Sequence, residues 1–299
     1  MYKFDLAISY KWKYDVDFVE LVESIFSNIG ISTFVIHKHN IFEVTELVKN
    51  NNISFKAYLD RGSDEDEDFE ELAGLLANST AYIINNYDKI ELAVDKAIMH
   101  RKLLNTEILI PETILLEPYD IKNELELSND SLKSLGIPFI IKPSYYSGGG
   151  EGVITNAESI EEIKNERIRN HDDNYLIQKK IYPKLIEGHR AWVRALWAFG
   201  KPLHLVWNDL THVYAENSVV FLRYLDIKKL DFIMHKLAEI SELDYFSSEI
   251  AIDENDNYYL IDYINDQCDM RFKSKHIDGV PDEVVEFFIL RMAELVSQI

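Results

Sequence analysis

The first part of the chain alternates short apolar runs with stretches whose apolar residues recur every three or four positions. Runs of β-branched and aliphatic residues predict strands, and the spacing of Phe18, Val22 and Phe26 predicts an amphipathic helix. Because strands and helices alternate, we expect a parallel sheet with helices on its faces, a Rossmann-like α/β domain over residues 1–87. The predicted strands cover residues 6–9, 31–36, 55–59 and 81–84, and the predicted helices cover residues 18–26, 41–49 and 69–76.

The remaining two thirds of the chain mix helices with hairpins, which is typical of an α+β arrangement. Turn-forming residues join two pairs of apolar strands, at 199–202 and at 253–257. Helices are predicted at 90–104, 158–169 and 283–296, and strands at 108–116, 139–141, 175–181, 192–197, 203–207, 248–252 and 258–263.

The composition excludes several classes of protein. A formal net charge of −21 argues against a general binder of nucleic acid or of anionic membranes, because both need a basic surface. No run of eighteen apolar residues predicts a membrane span, and the polar first ten residues do not resemble a signal peptide, so we expect a cytoplasmic protein. Cys268 is the only cysteine, which excludes an intrachain disulfide.

A lysine at a strand end precedes a glycine-rich loop. Lys142-Pro143 ends the apolar run 139–141, and the loop that follows contains Ser147, Gly148, Gly149, Gly150 and Gly152. Backbone N–H groups in such a loop can approach phosphate oxygens closely, and the lysine adds a positive charge. Neither the nucleotidase loop nor the dinucleotide fingerprint matches this spacing. A glycine hairpin beside a solvated lysine is the alternative interpretation.

The hairpin at 248–263 places two acids on adjacent strands. A turn of about six residues puts Glu249 directly opposite Asp262. Like charges at that distance are unfavourable unless a cation lies between them, and oxygen ligands favour Mg²⁺. The alternative is a surface hairpin with two solvated acids, although both acids stand in otherwise apolar strands.

The order of these stretches resembles the ATP-grasp superfamily. The matching features are Asp95-Lys96 in a helix, Lys142-Pro143 with the glycine loop, the strand and linker at 175–181, the arginine hairpin at 187–207 and the acid hairpin. The resemblance implies two α+β subdomains, at 88–182 and 183–299, after the N-terminal domain. It also implies that Lys96, Lys142 and the loop residues Ser147, Gly148, Gly149 and Gly150 bind the phosphates of ATP.

The resemblance assigns further residues to the nucleotide and the substrate. Gln178 stands where the family usually has glutamate, and Lys179 and Ile181 follow it in the linker that contacts adenine. Glu187 is a candidate for holding the ribose hydroxyls. Arg190, with Arg194 in reserve, corresponds to the arginine near the transferred phosphoryl group. Separately, Arg271 is a candidate for a substrate carboxylate, because guanidinium pairs well with carboxylate.

The metal motif departs from the family pattern. The family has an acid on one strand and Glu-x-Asn on the next, whereas this chain has Asp262-Tyr263-Ile264-Asn265, which is one residue longer. Either a β-bulge restores Asn265 as a ligand beside Glu249 and Asp262, or Asp266 takes its place.

The resemblance implies an ATP-dependent ligase that uses Mg²⁺, or alternatively Mn²⁺. In such an enzyme a carboxylate becomes an acylphosphate, which an amine or similar nucleophile then attacks, most often forming a carbon–nitrogen bond. The partners would be ATP and a small-molecule or peptide substrate, with no nucleic acid and no membrane. Two alternatives remain open: a small-molecule kinase on the same fold, and a non-catalytic nucleotide-binding or interaction module, which Gln178 and the irregular metal motif suggest. The sequence gives no indication of the oligomeric state.

Overall fold

A computed structural model describes residues 1–147, 150, 152–216 and 218–299 of the chain. At the N-terminus four strands form a parallel sheet in the order β2-β1-β3-β4. The parallel α/β arrangement is as predicted, but the strand order is that of flavodoxin-like sheets rather than the 3-2-1-4 order of Rossmann domains. The strands are β1 (Tyr2–Tyr10), β2 (Thr33–Ile36), β3 (Ile53–Arg61) and β4 (Tyr82–Ile84), and the helices are α1 (Val16–Asn28), α2 (Ile41–Lys49) and α3 (Glu70–Ala77).

Two helices, α4 (Tyr87–Val94) and α5 (Lys96–Leu103), occupy the region predicted as one helix. The break falls at Asp95, whose backbone is extended, with φ −69° and ψ 106°. Its side chain accepts a hydrogen bond from the backbone N–H of Ile98 and caps α5. A capping aspartate begins a new helix because it satisfies an N–H group that otherwise lacks a partner.

A second sheet of four antiparallel strands follows, in the order β5-β8-β6-β7. A reciprocal capping box between Ser159 and Glu162 begins the longer of its two helices. The strands are β5 (Thr113–Leu116), β6 (Phe139–Pro143), β7 (Ile154–Ala157) and β8 (Tyr175–Lys179), and the helices are α6 (Asn129–Leu135) and α7 (Ile160–Arg169).

The third sheet is also antiparallel and has the order β12-β11-β13-β14. A two-stranded hairpin, β9 (Leu185–Ile186) with β10 (His189–Arg190), precedes it. The remaining elements are β11 (Trp192–Ala198), β12 (Lys201–Val206), α8 (Ser218–Leu222), α9 (Ile227–Ser241), β13 (Tyr245–Ile252), β14 (Tyr258–Asn265) and α10 (Asp282–Gln298).

Helix α9 is missing from the sequence prediction, although it has a clear signal. Asp226 caps its N-terminus, and Leu230, Ile233, Met234 and Leu237 are buried at helical spacing. These side chains pack on one face of the third sheet, in an apolar cluster with Val193 and other inward-facing strand residues. The other face of the sheet packs against α10.

The N-terminal sheet and the third sheet share one apolar cluster. Phe18 and Phe26 of α1 are fully buried, and the ring of Phe18 lies 6.0 Å from that of Phe288 in α10. This packing joins the N-terminal sheet to the C-terminal part of the chain. Among the described residues, no helix has the length and hydropathy needed to cross a bilayer.

Candidate functional site

The second and third sheets meet at strand β14. Lys142 and Gln178 lie on the same face of the second sheet, because Gln178 pairs with Ile140 and Lys142 is two residues further along the same strand. The Lys142 Nζ donates to the carbonyl oxygen of Ile261 at 2.9 Å, and the Gln178 Nε2 donates to the hydroxyl of Tyr263 at 3.1 Å. Both contacts therefore reach residues next to Asp262.

Glu249 and Asp262 are paired directly across β13 and β14, as the sequence predicts. The Lys96 Nζ lies 3.6 Å from Asp262 Oδ1, and an Arg194 nitrogen lies 3.6 Å from Glu249 Oε1. Trp192 donates its indole N–H to Glu249 Oε2 at 3.2 Å. The two acids thus stand within a set of cations at the junction of the sheets.

The pKa values of the two acids move in opposite directions. Burial raises the pKa of Glu249, and the neighbouring Asp262 charge adds to the rise, although Arg194 opposes both. Burial also acts to raise the pKa of Asp262, but the charges of Lys96, Lys142 and Arg194 together lower it. Asp262 is therefore the carboxylate of the pair that stays ionised, whereas Glu249 holds a proton more readily.

A β-bulge restores the position of Asn265. Glu249 pairs with Asp262 and Ser247 pairs with Asn265, so the two residues between Asp262 and Asn265 oppose the single residue Ser248. Glu249 and Ser247 share one face of their strand, and their partners share that face with them. The structure thus places Asn265 on the same face as Asp262 and Glu249, the first of the two arrangements predicted.

The Asp95-Lys96 segment and the strand end at Lys142 are physically joined through Ser144. The Ser144 hydroxyl donates to Asp95 Oδ1 at 2.6 Å and accepts from the Ala97 N–H at 2.7 Å. The Lys96 N–H donates to the Ser144 carbonyl at 3.2 Å. These bonds hold the start of α5, and with it Lys96, against the start of the glycine-rich loop.

The glycine-rich loop is described only in part, because the predicted phosphate ligands Gly148 and Gly149 lie outside the described residues. At its start, Asp173 accepts from the backbone N–H groups of Tyr145 and Tyr146, at 2.8 and 3.1 Å. The hydroxyl of Ser147 is buried and has no hydrogen-bond partner among the described residues.

Glycine is required near the end of this loop. Gly150 and Gly152 have φ angles of 84° and 69°, which favour glycine. A Cβ atom at Gly152 would also lie 3.2 Å from the Pro143 ring. The loop therefore closes tightly against the strand end that presents Lys142.

The linker residues occupy different environments. Gln178 is buried, and its Nε2 donates to the hydroxyls of Thr113 and Tyr263, at 3.0 and 3.1 Å. Lys179 is exposed and donates its N–H to the Glu112 carbonyl at 2.8 Å, while Ile181 is half-buried beside the apolar cluster of the third sheet.

A hydrogen-bonded chain continues from Gln178 through Tyr263 to Nδ1 of His100, 2.8 Å from the tyrosine hydroxyl. Burial lowers the pKa of His100 to about 4, with a smaller contribution from Arg101, so the ring is neutral at physiological pH. The sequence gives no direct signal for this row of hydrogen bonds. His100 follows Lys96 by one helical turn, which is the only hint that it faces the same way.

Three predicted site residues make their described contacts with residues other than the two acids. Glu187 is exposed, with φ 50°, and with Gly188 forms the two-residue turn between β9 and β10. Arg190 makes a bidentate ion pair with Asp209, at 2.5 and 2.7 Å. Arg271 pairs with Asp269 and Asp278, and its guanidinium also lies 5.5 Å from the Trp12 ring.

Arg194, by contrast, is at the centre of the site. Besides its approach to Glu249, its guanidinium lies 5.1 Å from the ring of Trp207. Trp207 also lines a neighbouring cavity of about 180 Å³, together with His189, Arg190, Asn208 and Tyr214. The cavity adjoins Arg194 through this shared tryptophan.

The donor set fits a hard divalent cation. Among the described residues no group of three or more His, Cys, Asp or Glu side chains has the arrangement of a metal centre. Glu249 and Asp262, however, offer four carboxylate oxygens of which one accepts a described hydrogen bond, from Trp192. Asn265 adds an amide oxygen on the same face. Two carboxylates and an amide supply only part of the coordination shell of Mg²⁺, which usually completes its shell with water and phosphate oxygens.

Comparison with known proteins identifies similar structures but no similar sequence. No protein-family model matches the chain, and no curated protein matches it. Among solved structures, an ATP-grasp RimK domain protein from Sphaerobacter thermophilus superposes with a TM-score of 0.62 and 16% identity, over 97% of this chain and 99% of that one.

Two further structures show the same likeness. The macrocyclase MdnC of Microcystis aeruginosa, solved with its precursor peptide MdnA, gives a TM-score of 0.64 at 13% identity, over 98% of this chain and 99% of MdnC. D-alanine–D-alanine ligase from Bacillus anthracis, solved with ATP, gives a TM-score of 0.61 at 14% identity, over 100% of this chain and 99% of the ligase. At these identities the likeness is one of fold.

Proposed function

We propose, from the ATP-grasp fold that this chain has over nearly its whole length, that it is an ATP-dependent ligase. One observation supports this most strongly: Lys96, Lys142 and Arg194 converge on the paired acids Glu249 and Asp262 where two sheets meet. Three cations around two acids suit a polyphosphate bound together with a metal ion. Residues 1–87, 88–182 and 183–299 would be the N-terminal domain and the two subdomains around the nucleotide.

The two lysines are placed to exchange their present contacts for phosphate. Lys142 donates to a neutral backbone carbonyl, and Lys96 approaches Asp262 only to 3.6 Å. A phosphate oxygen is a stronger partner for an ammonium group than either contact, because the bond gains full charge assistance. The buried Ser147 hydroxyl would bind the same phosphates from the loop side.

Glu249, Asp262 and Asn265 would hold Mg²⁺, with Mn²⁺ as an alternative. When bound, the ion supplies neutralisation of the phosphate charge. The chain itself keeps Asp262 ionised through its three neighbouring cations, so that this ligand is ready at neutral pH. Glu249 would lose its proton when the cation binds.

Arg194, rather than Arg190, is our candidate for stabilising the transferred phosphoryl group. Arg194 approaches Glu249, and its charge also lowers the pKa of Asp262, whereas Arg190 is held by Asp209 and Arg271 by Asp269 and Asp278. Arg190 also lines the cavity beside Trp207, which suits a role in binding the substrate. Arg271 would act in support of the loop that follows β14.

In the proposed reaction, a carboxylate oxygen of the substrate attacks the γ-phosphorus of ATP and the bond to the β-phosphate oxygen breaks, giving an acylphosphate and ADP. An amine or similar nucleophile then attacks the acyl carbon, inorganic phosphate leaves, and the nucleophile loses one proton. The chain contributes positioning and charge stabilisation rather than a covalent group.

Similar structures favour a ligase over a kinase, since one is named a D-alanine–D-alanine ligase and another a macrocyclase bound to a peptide. We accordingly propose a small-molecule or peptide carboxylate as substrate, joined to an amine. A cytoplasmic location stays a prediction from the sequence.

Mass spectrometry of metabolite and peptide extracts incubated with the protein, ATP and Mg²⁺ tests this proposal, with the Asp262→Asn variant as control. We expect a product equal to two components joined with the loss of one water. A component that gains only a phosphate would establish the kinase, and unchanged ATP across all extracts would favour a non-catalytic module. Once a substrate is known, ¹⁸O in its carboxylate should appear in the released phosphate.

A further inference from the structure

Ser144 is a fully buried serine that directly follows Lys142-Pro143 at the end of β6. Its backbone N–H donates to the Asn174 carbonyl oxygen at 2.8 Å, which fixes its main chain to the segment that leads into β8. Its hydroxyl bonds in another direction, to the start of α5. Ser144 therefore connects the strand end that carries Lys142 to the helix that carries Lys96.

The direction of both hydroxyl bonds is fixed by chemistry. A backbone N–H can only donate, so the hydroxyl accepts from Ala97 at 2.7 Å and gives its single proton to Asp95 Oδ1 at 2.6 Å. The same Asp95 oxygen accepts from the Ile98 N–H at 2.9 Å and caps α5. The serine hydroxyl and the helix cap thus hold each other in place.

Two bonds to Ser144 bracket Lys96. The Lys96 N–H donates to the Ser144 carbonyl oxygen at 3.2 Å, and the next N–H along the chain, that of Ala97, donates to the Ser144 hydroxyl. The peptide groups on both sides of the Lys96 Cα are consequently tied to one residue. From this anchored position the Lys96 Nζ reaches to 3.6 Å from Asp262 Oδ1.

We propose that Ser144 is a positioning residue for the phosphates of ATP: its hydroxyl sets the place from which Lys96 reaches them. The proposal rests on the proposed function, because it takes Lys96 to bind phosphate. Without the hydroxyl, the Ala97 N–H loses its acceptor and Lys96 keeps one of its two ties. A lysine that extends from a looser backbone loses more conformational freedom when it binds phosphate, so it binds phosphate more weakly.

Calorimetric titration with ATP and Mg²⁺ tests the proposal in Ser144→Ala, Lys96→Met and the double variant. We expect Ser144→Ala to weaken ATP binding about tenfold and Lys96→Met about 10–100-fold. Because the serine acts through the lysine, the double variant should bind ATP within about twofold of Lys96→Met alone. A loss of stability unrelated to Lys96 would instead weaken ATP binding by the same factor in both backgrounds.

Ser159→Ala is the matched control. The Ser159 hydroxyl also donates to a carboxylate oxygen, Glu162 Oε2 at 2.6 Å, and accepts from a backbone N–H, that of Glu162 at 3.4 Å. The control therefore loses the same two kinds of hydrogen bond at the start of another helix, α7. It should bind ATP as the wild-type protein does.

ATP binding by Ser144→Ala at the wild-type affinity would overturn this inference and leave the proposed function intact, as would an equal loss in both backgrounds. Wild-type affinity in Lys96→Met would overturn it too, because the serine would have no phosphate contact to act through. If Ser144→Ala does not fold by circular dichroism, Asp95→Ala, which removes the acceptor of the serine proton, replaces it in the same comparison. Absence of ATP binding by the wild-type protein would instead refute the proposed function, and this inference with it.

Discussion

Glu249 and Asp262 face each other across adjacent antiparallel strands, yet their carboxyl pKa values move apart, upward for Glu249 and downward for Asp262. The difference arises from position rather than residue type. Lys96 and Lys142 reach β14 from α5 and β6 and act mainly on Asp262, while Glu249 has Arg194 as its nearest cation. The two acids titrate as a pair in which Asp262 ionises more readily and Glu249 keeps a proton more readily.

Asp262→Asn removes the ionised member of this pair. We expect turnover, measured as ADP release in the presence of Mg²⁺ and substrate, to fall by about 100-fold or more, because charge stabilisation of the transferred phosphate is lost. Glu254→Gln, an exposed change in the turn of the same hairpin, should have no effect. ADP release at the wild-type rate in Asp262→Asn would remove this residue from the metal site.

Lys142→Met keeps the length of the side chain and removes its charge. We expect ATP affinity to fall about 10–100-fold, because the variant loses one hydrogen bond to a charged phosphate group. Calorimetric titration with ATP and Mg²⁺ measures the change. Lys201→Met, at an exposed position at the start of β12, is the control and should bind ATP as the wild-type protein does. An unaltered affinity in Lys142→Met would show that this lysine does not contact the phosphates.

The roles of Arg194 and Arg190 can be distinguished by making the same substitution, arginine to lysine, at each position. Arg194→Lys should lower kcat by about 100-fold, since lysine cannot reproduce the guanidinium fork beside Glu249 and Trp207. Arg190→Lys should change kcat by less than about tenfold and act chiefly on KM for the substrate, because Arg190 lies at the cavity with Asp209. The reverse pattern would restore Arg190 to the position first predicted for it.

His100 makes the stability of the protein depend on pH. Its folded-state pKa is lowered to about 4 by burial, so the unfolded state binds a proton more readily as pH falls below the ordinary value of 6.5. Stability is therefore lost as pH falls from 6.5 towards 4. In His100→Gln this loss should be smaller by about 1–3 kcal/mol, measured by urea unfolding at several pH values.

The exposed His39→Gln is the control for this pH effect and should retain the wild-type dependence. If the free energy of unfolding fell equally with pH in His100→Gln and in the wild-type protein, another group would be responsible.

Local geometry made part of the site predictable. The hairpin brought Glu249 opposite Asp262 as expected, although a register shift between Glu249 and Ile250 contributes to that pairing. A second shift gives the bulge before Asn265 that was one of the two arrangements expected. The parallel N-terminal sheet followed from alternating periodicities in the same way. In each case the information lies within a few dozen residues of sequence.

Contacts made by irregular segments were not predictable, whether near or distant in sequence. Arg190 and Arg271 looked available for ligands, but Asp209 and Asp278 pair with them from loops that have no periodic pattern. The hydrogen-bonded chain from Gln178 to His100 joins three elements and has no periodic signature. Helix α9, by contrast, has an ordinary amphipathic pattern, with Leu230, Ile233 and Leu237 buried on one face, and that signal is local.

The bond from Lys142 to Ile261 ends on a main-chain carbonyl, and this restricts how the contact can evolve. Every residue type at position 261 presents the same oxygen, so no substitution there deletes the acceptor itself. Variation can remove the bond directly only at position 142. Covariation between positions 142 and 261 is therefore expected to be weak in related chains, although the two residues touch.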